Sequence, residues 1–162
     1  MLYSLSWNDM KRPAARFARA GPDKGGKMSQ WVYNGWEFPA AKAEPPRERF
    51  LKIISSPETT GYEKATILFS HIPPGSSSGM HTHPKSDEIM YCVGRGEIII
   101  DGETVPLETD SVIMAPIGVP HELRNTSETE TFKLFCVYIP PIELNELLTG
   151  LAEKTKDYLK DK

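Results

Sequence analysis

Cysteine and histidine are scarce in this chain, which has two of the first and four of the second among its 162 residues. Cys92 and Cys136 stand far apart and outside any C-x-x-C pattern, which argues against a disulfide framework or a zinc ribbon and for a cytoplasmic protein. Long apolar runs are missing as well. Nothing approaches the roughly 18 consecutive apolar residues that suggest a membrane span, and the opening "MLYSLSWND" breaks too early for a secretory signal. Nor is there an excess of positive charge. The formal net charge is −3, so electrostatics offer no reason to expect nucleic acid or an anionic membrane, and no segment has a helix-turn-helix pattern. The expected partner is a small molecule. The length suits one domain that buries its core without cross-links.

The charge that is present is unevenly placed. Lys11, Arg12, Arg16, Arg19, Lys24 and Lys27 against Asp9 and Asp23 give +4 over residues 1–27 and leave −7 for the remainder. This basic leader, broken by Pro13, Gly21, Pro22, Gly25 and Gly26, reads as a flexible tail over residues 1–28. A transit peptide, or a start at Met28, is compatible with the same composition.

Residues 29–140 read differently. Short β-type runs, "RFLKII", "KATILFSHI", "EIMYCV", "EIII", "ETVPL", "SVIMA", "HELRN" and "TFKLFCVYI", alternate with turn residues, the pattern of an all-β sandwich or barrel. Asp101-Gly102 lies between two of them and suits a tight hairpin. The fourteen prolines fit loops and strand ends better than helices. Residues 141–162 change character after Pro140-Pro141. Leu144, Leu147, Leu148, Leu151 and Tyr158 recur at helical spacing and predict an amphipathic helix over 142–160, weakened by Gly150 and suited to covering a sheet face or a subunit partner.

Two of the four histidines are one residue apart, in "GSSSGMHTHPKSDE". On a strand His81 and His83 would point the same way, which makes a possible pair of metal ligands. Gly75 stands six residues before His81, a carboxylate follows His83 at a strand start, and "GRGE" closes that strand in a glycine turn. His121 follows His83 by 38 residues, in "PIGVPHELRN", where Pro116 and Gly118 form a turn that delivers it to the start of another strand. These two stretches resemble the paired motifs of the cupin superfamily, over about residues 62–140. The first motif falls on Gly75, His81, His83 and a carboxylate, and the second on Pro116, Gly118, His121 and Asn125. The second departs from the family pattern at Asp110, where a glycine is usual; aspartate tolerates the left-handed conformation better than most residues.

The resemblance implies a cupin-type β-barrel, or jelly roll, with a metal held inside one end. It leaves the carboxylate open between Glu88 and Asp87. The choice exchanges the faces of the strand: Glu88 would share the cavity with Met90 and Cys92, and Asp87 with Ile89, Tyr91 and Val93. Glu88 is preferred, because "EIMYCVGRGE" matches the family's strand with one deletion and glutamate reaches further. Three imidazoles and one carboxylate suit one divalent transition metal per chain, Fe, Mn, Ni, Co or Zn. On an octahedral ion they leave positions for substrate oxygens, water or dioxygen.

A metalloenzyme acting on a small oxygen-bearing metabolite by dioxygenase, decarboxylase or lyase chemistry is therefore the first expectation. The alternatives are a metal-dependent sugar or keto-acid isomerase or epimerase and a non-catalytic ligand-binding cupin. His71, Tyr91 and Tyr138 are secondary candidates for moving a proton. Cys92 and Cys136 are expected as buried apolar residues, and Asn125 as a support for the turn or strand after His121. Small cupins commonly pair through their sheets, so the resemblance also implies a homodimer.

Overall fold

The structure, a computed structural model, describes residues 32–45 and 47–161. The basic segment expected as a flexible tail, residues 1–28, lies outside the described residues. Among the described residues nine strands and two helices follow in chain order: β1 (Ala41–Ala43), β2 (Arg49–Ser55), α1 (Pro57–Thr60), β3 (Thr66–Ile72), β4 (Asp87–Val93), β5 (Gly96–Ile100), β6 (Glu103–Leu107), β7 (Val112–Ala115), β8 (His121–Arg124), β9 (Phe132–Ile139) and α2 (Glu146–Lys160). A six-stranded sheet has the order β1-β2-β3-β9-β4-β7, and a three-stranded sheet the order β6-β5-β8. Every pairing is antiparallel.

All eight β-type runs become strands. Their alternation decides which residues meet between the sheets. In β4, Glu88, Met90 and Cys92 are buried while Asp87, Ile89, Tyr91 and Val93 are exposed. In β9, Phe132, Leu134, Cys136 and Tyr138 turn inward. They meet Ile98 of β5, Ile113 of β7 and Leu123 of β8 in one apolar core. Each such side chain, once fully buried, stabilises the fold by roughly 1.5–3 kcal/mol before chain entropy is counted. Both thiols are part of this core and unpaired.

Turn chemistry sets the register. Asp101 and Gly102 adopt φ of 49° and 81°, the pair of positive values that a two-residue hairpin turn requires. Asp110 has φ of 75°, and its carboxylate accepts a hydrogen bond from the Tyr91 hydroxyl, which offsets part of the strain.

Two elements have weaker sequence signals. β1 is three residues long and only partly buried. α1 is a single turn in which the Ser56 side chain accepts from Thr59 N while Thr59 Oγ1 accepts from Ser56 N, with Gly61 ending it. The C-terminal helix is shorter than the spacing suggests. Its first turn is capped by Asn145, whose Oδ1 accepts from Leu148 N at 3.0 Å. Residues 142–145 therefore lie before it, with Ile142 and Leu144 packed on the core edge. Leu148, Leu151, Ala152 and Thr155 form the buried stripe and Leu147 is exposed. The helix packs on β1, β2 and α1. Among the described residues no helix is long and apolar enough to cross a membrane.

Asn125 ties three segments together after β8. Its amide donates to Ile72 O and to Glu130 O, both at 2.8 Å, and its carbonyl oxygen accepts from Ser127 N at 2.9 Å. Because Asn125 is buried, truncation leaves several backbone groups without partners. Asn125→Ala is expected to lower stability by about 2–4 kcal/mol, read as a fall in the urea midpoint at constant slope; an unchanged midpoint would contradict this role.

Candidate metal centre

Four side chains from three parts of the chain converge where the two sheets meet. His121 opens β8 and pairs with His81 across an isolated antiparallel bridge, with N···O distances of 3.0 and 2.9 Å. His81 and His83 thus lie on a short bridged segment rather than on a regular strand, yet both rings reach the same point. The ring centroids of His81 and His121 are 4.5 Å apart, and those of His83 and His121 are 5.4 Å apart. Glu88, the second residue of β4, faces them from the large sheet. One ligand atom from each of the four residues lies within 4.8 Å of the others.

Backbone contacts around the cluster orient its members. His81 Nδ1 lies 2.7 Å from Gly79 O and His121 Nδ1 lies 3.0 Å from Val119 O. A carbonyl only accepts, so each Nδ1 carries the proton and each Nε2 presents its lone pair inward. The turn before His121 is clipped to the first histidine segment, because Gly118 N donates to His83 O at 3.0 Å. Gly118 has φ of 78°, which a side chain would strain. Asp87 points outward, and its Oδ1 accepts from Ile117 N at 3.0 Å. The two carboxylates thus divide the work: Asp87 holds the turn and Glu88 faces the cluster.

Glu88 Oε2 is 3.0 Å from His83 Nε2 and 3.1 Å from His121 Nε2. With its proton on Nδ1, His121 Nε2 is an acceptor like the Glu88 oxygen, so their approach needs a proton or a cation between them. Although burial would raise the Glu88 carboxyl, the contact with His121, followed by the nearness of His83 and Tyr138, holds it well below the usual range. Burial lowers and Glu88 raises the His121 imidazole, and the net shift is upward. His81 is pushed down to about 4 by burial and then by the Arg49 charge, which leaves it neutral at pH 7. His83 Nε2 is buried and, despite its closeness to Glu88, has no aligned hydrogen-bond partner. A buried imidazole nitrogen without a partner, beside two further imidazoles and a carboxylate, fits a divalent metal.

The secondary candidates separate. Tyr138 is directly across from Glu88 in the β4–β9 register, and its ring centroid is 4.9 Å from that of His83. His71 does not reach the cavity, because Ser70 and Ile72 take the inward positions of β3 and His71 stacks beside Phe69 on the outer face. Tyr91 is likewise on the outer face of β4, bonded to Asp110.

A cavity of about 290 Å³ opens onto the cluster, lined by Arg47, Arg49, His81, His83, Tyr138 and Leu148 among others. An ion pair between Lys85 and Glu143 ties the histidine loop to the segment before α2 at its edge. The cationic side chains of this cavity had no motif to reveal them. Arg49 did leave a trace, a charge on the same strand face as Leu51 and Ile53, where an apolar residue is expected.

The fold agrees with comparison to known proteins. The Cupin domain family model matches residues 68–138. The polyketide synthase CurC of Streptomyces cyaneus is 37% identical over 57% of this chain, which spans 62% of that relative's length. Protein SchB of Streptomyces halstedii is 30% identical over 56% of this chain and 69% of its own length. Among solved structures, a predicted oxalate decarboxylase from Thermotoga maritima matches with a TM-score of 0.61 at 25% identity, covering 67% of this chain and 98% of that one. The chain belongs to the cupin superfamily.

Exchange of the two neighbouring carboxylates distinguishes their roles. Glu88→Gln is expected to lose most of a metal content of about one ion per wild-type chain, and Asp87→Asn to keep it, by elemental analysis of protein purified without an affinity tag. Metal retained in Glu88→Gln and lost in Asp87→Asn would reverse the assignment.

Proposed function

We propose that this cupin holds one divalent metal through His81, His83, Glu88 and His121 and is a metalloenzyme acting on a small oxygen-bearing metabolite, by dioxygenase, decarboxylase or lyase chemistry. The observation that carries this reading is the approach of Glu88 Oε2 to two imidazole Nε2 atoms at 3.0 and 3.1 Å, beside a cavity large enough for a small molecule. A bound Fe, Mn, Ni, Co or Zn ion would supply Lewis acidity or, for the first two, redox chemistry. The protein's own part is to orient the rings, exclude water and hold a proton. Tyr138 is suited to the last, since burial, followed by the Glu88 charge, raises its hydroxyl well above the ordinary range and keeps it protonated. It serves as a hydrogen-bond or proton donor rather than a base.

The solved relative described as a predicted oxalate decarboxylase supports the decarboxylase branch. The relative named as a polyketide synthase supports a carbonyl-bearing substrate instead, and with it the isomerase alternative, in which a carbonyl is polarised and a proton moved. Measurement of dioxygen uptake and carbon dioxide release over a panel of hydroxy, keto and dicarboxylic acids separates these branches. Turnover is expected to fall at least 100-fold in His121→Ala, roughly the scale of losing an essential electrostatic group. Tight binding without any product in the metal-loaded wild type would contradict an enzyme and leave a ligand-binding cupin.

The homodimer belongs to this reading too. Ile89, Tyr91, Val112, Met114, Phe135 and Ile139 are exposed together on the outer face of β4, β7 and β9, and an apolar sheet face of this kind marks an interaction surface. The wild type is expected at twice the 18.2 kDa chain mass by light scattering, and Met114→Glu at the single mass; a monomeric wild type would remove the dimer. Two free buried thiols suit a cytoplasmic setting.

A further inference from the structure

The cavity beside the cluster holds a cation that nothing described so far uses. Arg49 opens β2 on the inward face shared with Leu51 and Ile53, and its side chain lines the cavity together with His81, His83 and Tyr138. Its Nε is fully buried and has no hydrogen-bond partner among the described residues. A buried guanidinium N–H without an acceptor is costly and calls for an explanation.

The nearby carboxylates do not supply the acceptor. Glu48 pairs with Lys42 at 2.9 Å, Glu143 pairs with Lys85, and Glu88 Oε2 faces two imidazoles. Arg47, at the same cavity, instead donates to Met80 O at 3.4 Å. The Arg49 charge nevertheless acts on His81, His121 and Tyr138 together, so it stands within the field of the cluster.

We infer that Arg49 is the anchor for a substrate carboxylate, so that the cavity takes a small carboxylic acid whose second oxygen function is presented to the His81, His83, Glu88 and His121 cluster. This rests on the metalloenzyme reading above and adds to it the substrate class and a positioning residue. A guanidinium offers parallel N–H donors that match the two oxygens of a carboxylate. Phosphate, with three terminal oxygens and more charge, is better served by a cluster of free backbone N–H groups such as a glycine-rich loop or an open helix N-terminus; no glycine lines this cavity, and at the α2 N-terminus, which reaches it through Asn145 and Leu148, the Leu148 N–H is already taken by Asn145 Oδ1.

The test uses 2-hydroxy-, 3-hydroxy- and 4-hydroxy-acids and their neutral amides as probes, with inorganic phosphate as a competitor. Calorimetric titration is made into wild type, Arg49→Gln and Arg49→Lys, each loaded with Mn(II) and each stripped of metal, with metal content and melting temperature measured in parallel. In both wild-type forms, acid is expected to bind more tightly than amide by roughly tenfold or more, the scale of a charge-assisted pair. The metal-free form matters because no ion can then create the preference. Arg49→Gln is expected to lose that preference at unchanged metal content, and Arg49→Lys to keep part of it because it keeps the charge without the fork.

A wild type that does not prefer acid over amide, an Arg49→Gln variant with the full preference, or phosphate that binds more tightly than every acid would overturn the inference. If Arg49→Gln fails to fold, Arg49→Lys decides the matter, since undiminished preference there contradicts a bidentate anchor. Wild type that takes up no Mn(II) but prefers acids in an Arg49-dependent way would defeat the metal reading and keep the anchor.

Discussion

One buried carboxylate oxygen set against two imidazole nitrogens is the constraint on which this site depends. Glu88 Oε2 and, with its proton on Nδ1, His121 Nε2 are both acceptors, and His83 Nε2 joins them at contact distance in a place that water hardly reaches. Without a charge between them the arrangement is repulsive, and it persists because the surrounding backbone leaves little freedom to escape. Gly79 O and Val119 O hold two of the rings by their far nitrogens. The Gly118 amide clips the second turn to His83. Asp87, outside the barrel, fixes the same turn from the opposite side. The fold thus keeps acceptors aimed at one point, and a divalent cation is what such a point accommodates.

The strands explain why these residues can be so far apart in sequence. His121 comes from the small sheet and Glu88 from the large one, so the site exists only where the two sheets close on each other. The apolar layer beneath, from Met90 and Cys92 across to Leu123 and Phe132, sets that separation. Around the cluster the chemistry changes from apolar to cationic, with Arg47, Arg49 and Lys85 at the cavity. A small carboxylate is what we infer such a cavity takes.

Most of the architecture was legible because β-strands write their burial into a period of two. "EIMYCV" and "TFKLFCVYI" each carry an inward set that the structure buries, and the hairpin at Asp101-Gly102 follows from residues that tolerate positive φ. The histidines were legible through the spacing of two turn-and-strand motifs. What stayed illegible depended on tertiary context. Period alone allowed Glu88 or Asp87 to face inward, and the β4–β9 register resolves their faces by placing Glu88 opposite Tyr138. His71 and Tyr91 looked chemically able but sit at outward positions of their strands. Arg49 belongs to no motif, since a lone arginine in a strand carries none, although its place beside two apolar inward residues is a signal. β1 and α1 are too short to have a period, and Ser56, Pro57 and Gly61 were the only marks of the second.

The most direct test of the account is anomalous diffraction from crystals of the full chain grown with a single transition metal such as Co(II), collected on both sides of its absorption edge. One strong peak per chain is expected within about 2.0–2.3 Å of His81, His83 and His121 Nε2 and of a Glu88 carboxylate oxygen, the range usual for such ligands. A site that stays empty at saturating metal, or a peak coordinated by other residues, would contradict it.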